Sequence, residues 1–165
     1  MEKIIDRIYV GSDDDIAKAK ERDYTRLTCA KDGPDGHRAM LGYTTMGAPK
    51  DDEYLFATRK HWGAMNCIDV KDPDMLPDKM IFEALRWAKK EYDAGRTILF
   101  HCNAGHSRGP TTALMFLRAI GEMPHGFTES LKIYRKLYPP YDPEVGMKQK
   151  AHMLWKDLLT LFKDK

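Results

Sequence analysis

Thr97-Ile98-Leu99-Phe100 runs directly into His101-Cys102-Asn103-Ala104-Gly105-His106-Ser107-Arg108, and Gly109-Pro110-Thr111 follow. The apolar run reads as a strand buried on both faces. Pro110 stands where the first turn of a helix belongs, and apolar residues continue to Ile120. A loop that leaves the carboxyl end of a strand and enters a helix gathers backbone N–H groups into one concavity. The helix N-terminus adds positive potential there. Gly105 allows a backbone angle that a side chain would forbid. Such a cradle suits an anion. Cys102 lies at its mouth, where amide dipoles and a nearby cation favour the thiolate. Arg108 can fold back and grip two oxygens of a phosphate with its planar fork. A thiolate beneath a bound phosphate and a guanidinium beside it form a site for attack on phosphorus, with no metal or cofactor required.

Outward from this loop, strands and helices alternate. Ile4 to Val10 reads as a strand ending at Gly11. Ser12-Asp13-Asp14-Asp15 then has the form of a capping box, opening a helix to about Arg22. Thr25 to Ala30 is expected as a second strand, and residues 31–36 as loop. Between 38 and 63 the pattern is faint, with a strand expected at Met40–Thr45 and a short helix near Glu53–His61. Ala64 to Val70 reads as a strand and Lys71-Asp72-Pro73-Asp74 as a turn. From Lys79 to Tyr92, the residues Ile81, Leu85, Ala88 and Tyr92 share one helical face, and Gly95 closes that helix. Phe127–Tyr138 and Val145–Phe162 are two further amphipathic helices. The order predicts one α/β domain across residues 1–165, a small, mostly parallel central sheet flanked by helices.

Composition narrows the setting. With 165 residues, 42% of them hydrophobic, the chain can bury a sizeable core. A net charge of +2 gives no electrostatic indication of nucleic-acid binding. No apolar run reaches the roughly 18 residues of a membrane span, and the first residues lack the apolar stretch of a secretory signal. Three cysteines, Cys29, Cys67 and Cys102, make no disulfide framework and fit a reducing, cytoplasmic compartment. Cys29 and Cys67 read as small core hydrophobes. His101 and His106 have no second cluster at ligand spacing with which to complete a metal site. Lys132, Arg135, Lys136, Lys148 and Lys150 read as ordinary solvated helix faces.

The run His101-Cys102-Asn103-Ala104-Gly105-His106-Ser107-Arg108-Gly109-Pro110-Thr111 resembles the His-Cys-x-x-Gly-x-Ser-Arg-Ser-Pro-Thr of the dual-specificity branch of the cysteine-dependent protein tyrosine phosphatases. Tyr9-Val10-Gly11 is similar to the Tyr-Leu-Gly that opens many such domains. The resemblance implies that Cys102 is the nucleophile and that Asn103, Ala104, Gly105, His106, Ser107 and Arg108 bind phosphate. His101 would orient the loop and support the thiolate. It also implies an Asp on a loop about thirty residues before the cysteine, acting as general acid. Counting back from Phe82-Glu83 gives Asp72, with Asp74 as its main rival. Asp69 is the weaker choice because it falls within the expected strand. The substrates implied are phosphotyrosine and phosphoserine or phosphothreonine in proteins. A non-protein phosphate (an RNA 5′ end, a phosphoinositide or a nucleotide) is the alternative, and a phosphate-binding module without turnover a third. Gly109 departs from the family, which usually has there a Ser or Thr whose hydroxyl bonds the cysteine sulfur. Of the nearby hydroxyls, Ser107, Thr111 and Thr112 could substitute. On this reading, Gly109→Ser would speed release of phosphate from the cysteine.

Overall fold

Ile8 and Val10 are completely buried, as are Leu27, Ile98, Leu99 and Phe100, and these residues mark the centre of a sheet. The computed structural model describes residues 1–163. The strands are β1 (Glu2–Ile5), β2 (Ile8–Ser12), β3 (Thr25–Thr28), β4 (Phe56–Arg59), β5 (Trp62–Met65) and β6 (Ile98–Cys102). They form one sheet in the order β1-β2-β6-β3-β5-β4. The inner strands β2, β6, β3 and β5 are parallel, while β1 and β4 pair antiparallel at the edges. The sheet is therefore mixed, with the expected parallel centre. The helices are α1 (Ile16–Glu21), α2 (His37–Leu41), α3 (Asp78–Asp93), α4 (Arg108–Ala119), α5 (Phe127–Leu137) and α6 (Val145–Leu158). No helix among the described residues is long and apolar enough to cross a membrane.

β6 is buried at every position, and so is α4 from Gly109 to Ala119. A helix apolar on all sides belongs in the middle of a domain. α4 lies between β6, where the Phe100 and Phe116 ring centroids are 5.3 Å apart, and α6, which supplies the Trp155 carbonyl to Arg118 Nε at 3.0 Å. The unit carrying the Cys102 loop is thus the most enclosed part of the molecule, and enclosure holds a loop in one conformation.

The expected elements shift in three places. The single strand over Ile4–Val10 is a hairpin, because Arg7 takes a left-handed φ of 65° and reverses the chain between β1 and β2. Within 38–63, Met40 and Leu41 belong to α2, and Glu53–His61 contains β4 in place of a helix. The buried His37 holds this region, with Nδ1 3.0 Å from the Tyr43 hydroxyl and Nε2 2.7 Å from the Glu53 carbonyl. The strand expected over Ala64–Val70 ends at Met65. There the Cys67 N–H turns back onto the Met65 carbonyl at 2.8 Å and takes the chain off the sheet. Residues 66–72 are consequently loop.

Candidate active site

The loop after β6 is built around Gly105, whose φ of 78° lies in the left-handed region. A Cβ there would also come within 3.0 Å of the Gly11 carbonyl oxygen and 3.1 Å of the Tyr138 hydroxyl. That hydroxyl donates to the Gly105 carbonyl at 2.7 Å. Burial, and secondarily the neighbouring Cys102, push the Tyr138 phenol up to about 12, so it remains a donor at neutral pH. The Asp142 N–H donates to the His106 carbonyl at 2.8 Å, and His106 Nδ1 lies 3.1 Å from the Pro140 carbonyl. Ser107 joins three segments: its hydroxyl donates to Asp69 Oδ1 and accepts the Glu144 N–H, both at 2.8 Å.

These contacts enclose a cavity of about 440 Å³. Cys102, Ala104, His106, Ser107 and Arg108 line one side, and Asp69, Asp142, Pro143 and Glu144 complete the wall. Cys102 is 2% exposed. Arg108 folds back as its spacing predicts. Nη1 donates to the Cys67 carbonyl at 3.1 Å and Nη2 to Asn103 Oδ1 at 2.9 Å. Its Nε is buried without a partner. A charged donor kept out of water and left unpaired is costly unless an anion completes it. Asn103 and Gly105, expected among the phosphate ligands, do not line the cavity with their side of the loop. Asn103 is turned toward Arg108, and Gly105 shapes the bend. His101 is completely buried, with Nε2 2.8 Å from the Thr28 hydroxyl.

Asp72, the expected acid, is not brought to this cavity. Its carboxylate accepts the Asp74 N–H at 2.9 Å and caps a single 3-10 turn over residues 73–75. Asp74 sits in that turn and is exposed. Because β5 ends early, Asp69 lies on the loop and lines the cavity instead. The sequence reading missed the wall from Tyr138 to Glu144. The closely spaced prolines of Pro139-Pro140-Tyr141-Asp142-Pro143 were the one available signal of an ordered turn there.

The other two cysteines behave as core residues. Burial pushes the Cys67 thiol up to about 12 and the Cys29 thiol well above its usual value. Among the basic residues expected on solvated faces, Lys150 is 5% exposed and pairs with Asp78 at 2.7 Å, tying α6 to the start of α3. Among the described residues no group of three or more His, Cys, Asp and Glu side chains is placed to hold a metal ion.

Gly109 has a steric reason. A Cβ there would lie 2.7 Å from the His101 carbonyl carbon and 2.9 Å from the Cys102 nitrogen, so the first turn of α4 rests directly on the nucleophile's own backbone. The expected gain from Gly109→Ser is therefore reversed. Forcing an atom into such a contact typically costs about 1–3 kcal/mol. The serine variant should melt at a lower temperature than the wild type, with reduced steady-state turnover. The three neighbouring hydroxyls are engaged elsewhere: Ser107 with Asp69, Thr111 with the Tyr141 hydroxyl at 2.9 Å, Thr112 with the Arg108 carbonyl at 2.8 Å. Equal or faster turnover in Gly109→Ser would show that the backbone yields there.

No family model matches the chain, and no curated protein matches it. Solved structures do. DUSP15 superposes with a TM-score of 0.66 at 17% identity, over 99% of this chain and 92% of that one. Human DUSP28 gives 0.66 at 12% identity, over 96% and 97%. The human tyrosine phosphatase-like serine/threonine/tyrosine-interacting protein gives 0.64 at 12%, over 96% and 97%. With its mixed six-stranded sheet flanked by helices superposing on these structures along nearly the whole length, this chain has a dual-specificity phosphatase-like fold.

Proposed function

We propose that this chain is a cysteine-dependent phosphatase that hydrolyses phosphomonoesters on protein side chains through a phosphocysteine intermediate. The observation that carries this reading is the single cavity lined by Cys102, Arg108 and Asp69, with the buried Arg108 Nε left for a ligand. Substrate phosphate docks on the loop amides and on Arg108. The Cys102 thiolate attacks phosphorus in line, forming the S–P bond as the P–O bond to the leaving group breaks. Asp69 gives its proton to the departing oxygen. Water then attacks the phosphocysteine and loses its proton to the same carboxylate, and the thiolate leaves. In both steps charge on the phosphoryl oxygens is met by donors already in place.

The rim favours protein substrates over polyanions. Beside Asp69, which holds the proton to be donated, Asp142 and Glu144 line the mouth. Neither joins an ion pair among the described residues. Each carboxylate about 4 Å from a second phosphate costs about 1 kcal/mol even in water, and more in a cleft. Inositol polyphosphate headgroups, nucleotides and 5′-triphosphorylated RNA meet that cost. A single phosphate on a peptide with basic neighbours does not. The test is a substrate panel at one ionic strength. Aryl phosphate and phosphopeptides should be hydrolysed, with Lys- or Arg-flanked peptides ahead of Asp- or Glu-flanked ones. Hydrolysis confined to phosphoinositide or triphosphorylated RNA would assign a non-protein substrate, and no hydrolysis of the aryl phosphate would leave only a binding module.

A further inference from the structure

One carboxylate outside the cavity touches both chain neighbours of Cys102. Asp13 opens the short turn after β2, where Ser12 and Asp15 form the capping box the sequence predicts. The Asp13 backbone N–H reaches the Asn103 carbonyl at 3.3 Å, and its Oδ2 accepts from Asn103 Nδ2 at 2.9 Å. Its Oδ1 faces His101 Nδ1 at 3.3 Å, and neither atom has a hydrogen-bond partner elsewhere. The packing is close: a Cβ on Gly33 would come within 2.5 Å of Asn103 Nδ2 and 2.8 Å of Asp13 Oδ2.

The chemistry of an amide gives this contact a consequence. A primary amide has one donor end and one acceptor end. Asp13 Oδ2 and the Asp32 carbonyl, at 2.9 and 3.0 Å, both demand the donor end of Asn103. The acceptor end is thereby turned to Arg108 Nη2 at 2.9 Å. A flipped amide would set NH2 against the guanidinium, donor against donor. With Nη2 held by Asn103 and Nη1 by the Cys67 carbonyl, the fork is fixed in plane and Nε is the group left over. Burial pushes the Asp13 carboxyl up, but its interactions with His101 and Asn103 outweigh that and hold it below its ordinary value, so it is the charged acceptor at neutral pH.

We propose that Asp13 is a positioning residue of the phosphate site: through Asn103 it sets the plane of the Arg108 guanidinium. The inference rests on the phosphatase reading for its meaning in catalysis, but its test reads oxyanion binding directly. Orthovanadate affinity, together with kcat and KM on an aryl phosphate, would be measured for wild type, Asp13→Ala, Asp13→Asn, Asn103→Ala and the Asp13→Ala/Asn103→Ala double variant. Misplacing a binding group by a fraction of an ångström to an ångström costs about tenfold to a hundredfold, and vanadate affinity should fall by that much in Asp13→Ala. Asp13→Asn, which keeps an acceptor for Asn103, should recover most of it. Once Asn103 is alanine, removing Asp13 should cost little more, because the two act in one chain. Additive losses around the cycle, or wild-type vanadate affinity in Asp13→Ala, would overturn the proposal. Thermal unfolding of each variant separates loss of fold from loss of orientation. A wild type that binds vanadate but never turns over would refute the phosphatase reading, and the vanadate cycle would still decide the role of Asp13.

Discussion

Cys102→Ser should lower turnover of an aryl phosphate by about 10⁴-fold or more, the scale on which loss of a covalent nucleophile is felt, while substrate still binds. The two effects separate because the cradle is made by other groups. The bend at Gly105, the Tyr138 brace and the Arg108 fork hold their places through contacts that do not involve the sulfur. Arg108→Lys should behave differently. An ammonium keeps the charge but cannot satisfy the Cys67 carbonyl and Asn103 Oδ1 and still present a planar edge to phosphate. Both KM and product inhibition by phosphate should weaken along with kcat, by about 10³-fold in kcat/KM, the order seen when one preorganised donor to a charged transition state is removed. Titration with a slowly hydrolysed phosphopeptide separates the two variants. A serine variant that has lost binding, or a lysine variant within tenfold of wild type, would displace these residues from their roles.

The loop was legible in the sequence because its order carries its physics. An apolar run must be a buried strand, Gly105 must be the bend, and Pro110 must sit in a first helical turn. The helices α3, α5 and α6 were legible from their apolar period. What was hidden depends on single contacts between residues far apart. The region after residue 30 is organised by His37 reaching Tyr43 and Glu53, and by Arg38 reaching Asp32 and the Thr45 carbonyl. None of these leaves a period. The cavity wall at Asp142 and Glu144 is placed by backbone N–H groups bound to the loop, for which side-chain identity gives no signal. The loop expected to carry the acid takes a different course for a local reason. Ile68, Asp69 and Val70 alternate as a strand would, with only Val70 buried, yet the turn at Cys67 has already ended the strand. Because the strand ends a few residues earlier than its pattern suggests, Asp69 lines the cavity and Asp72 caps the turn over residues 73–75.

That placement has a large kinetic consequence. Asp69→Asn should lower turnover of phosphoserine or another alkyl phosphate by about 10²–10⁴-fold, the usual worth of a positioned general acid. A phosphate with a good aryl leaving group needs little protonation and should lose far less. The substitution preserves shape, since an Asn oxygen can still accept from Ser107 as Asp69 Oδ1 does at 2.8 Å. A loss confined to poor leaving groups therefore reports the missing proton and not a moved loop. Asp72→Asn is the matched control. Its carboxylate caps residues 73–75, and asparagine caps a helical turn as well as aspartate does, so this variant should stay near wild type on both substrates. The reverse pattern would mean that the loop swings in the substrate complex and delivers Asp72. That would require the chain to break the Ser107–Asp69 bond and the Gly146 N–H to Val70 carbonyl bond at 3.0 Å, which together pin residues 69 and 70 to the loop and to α6.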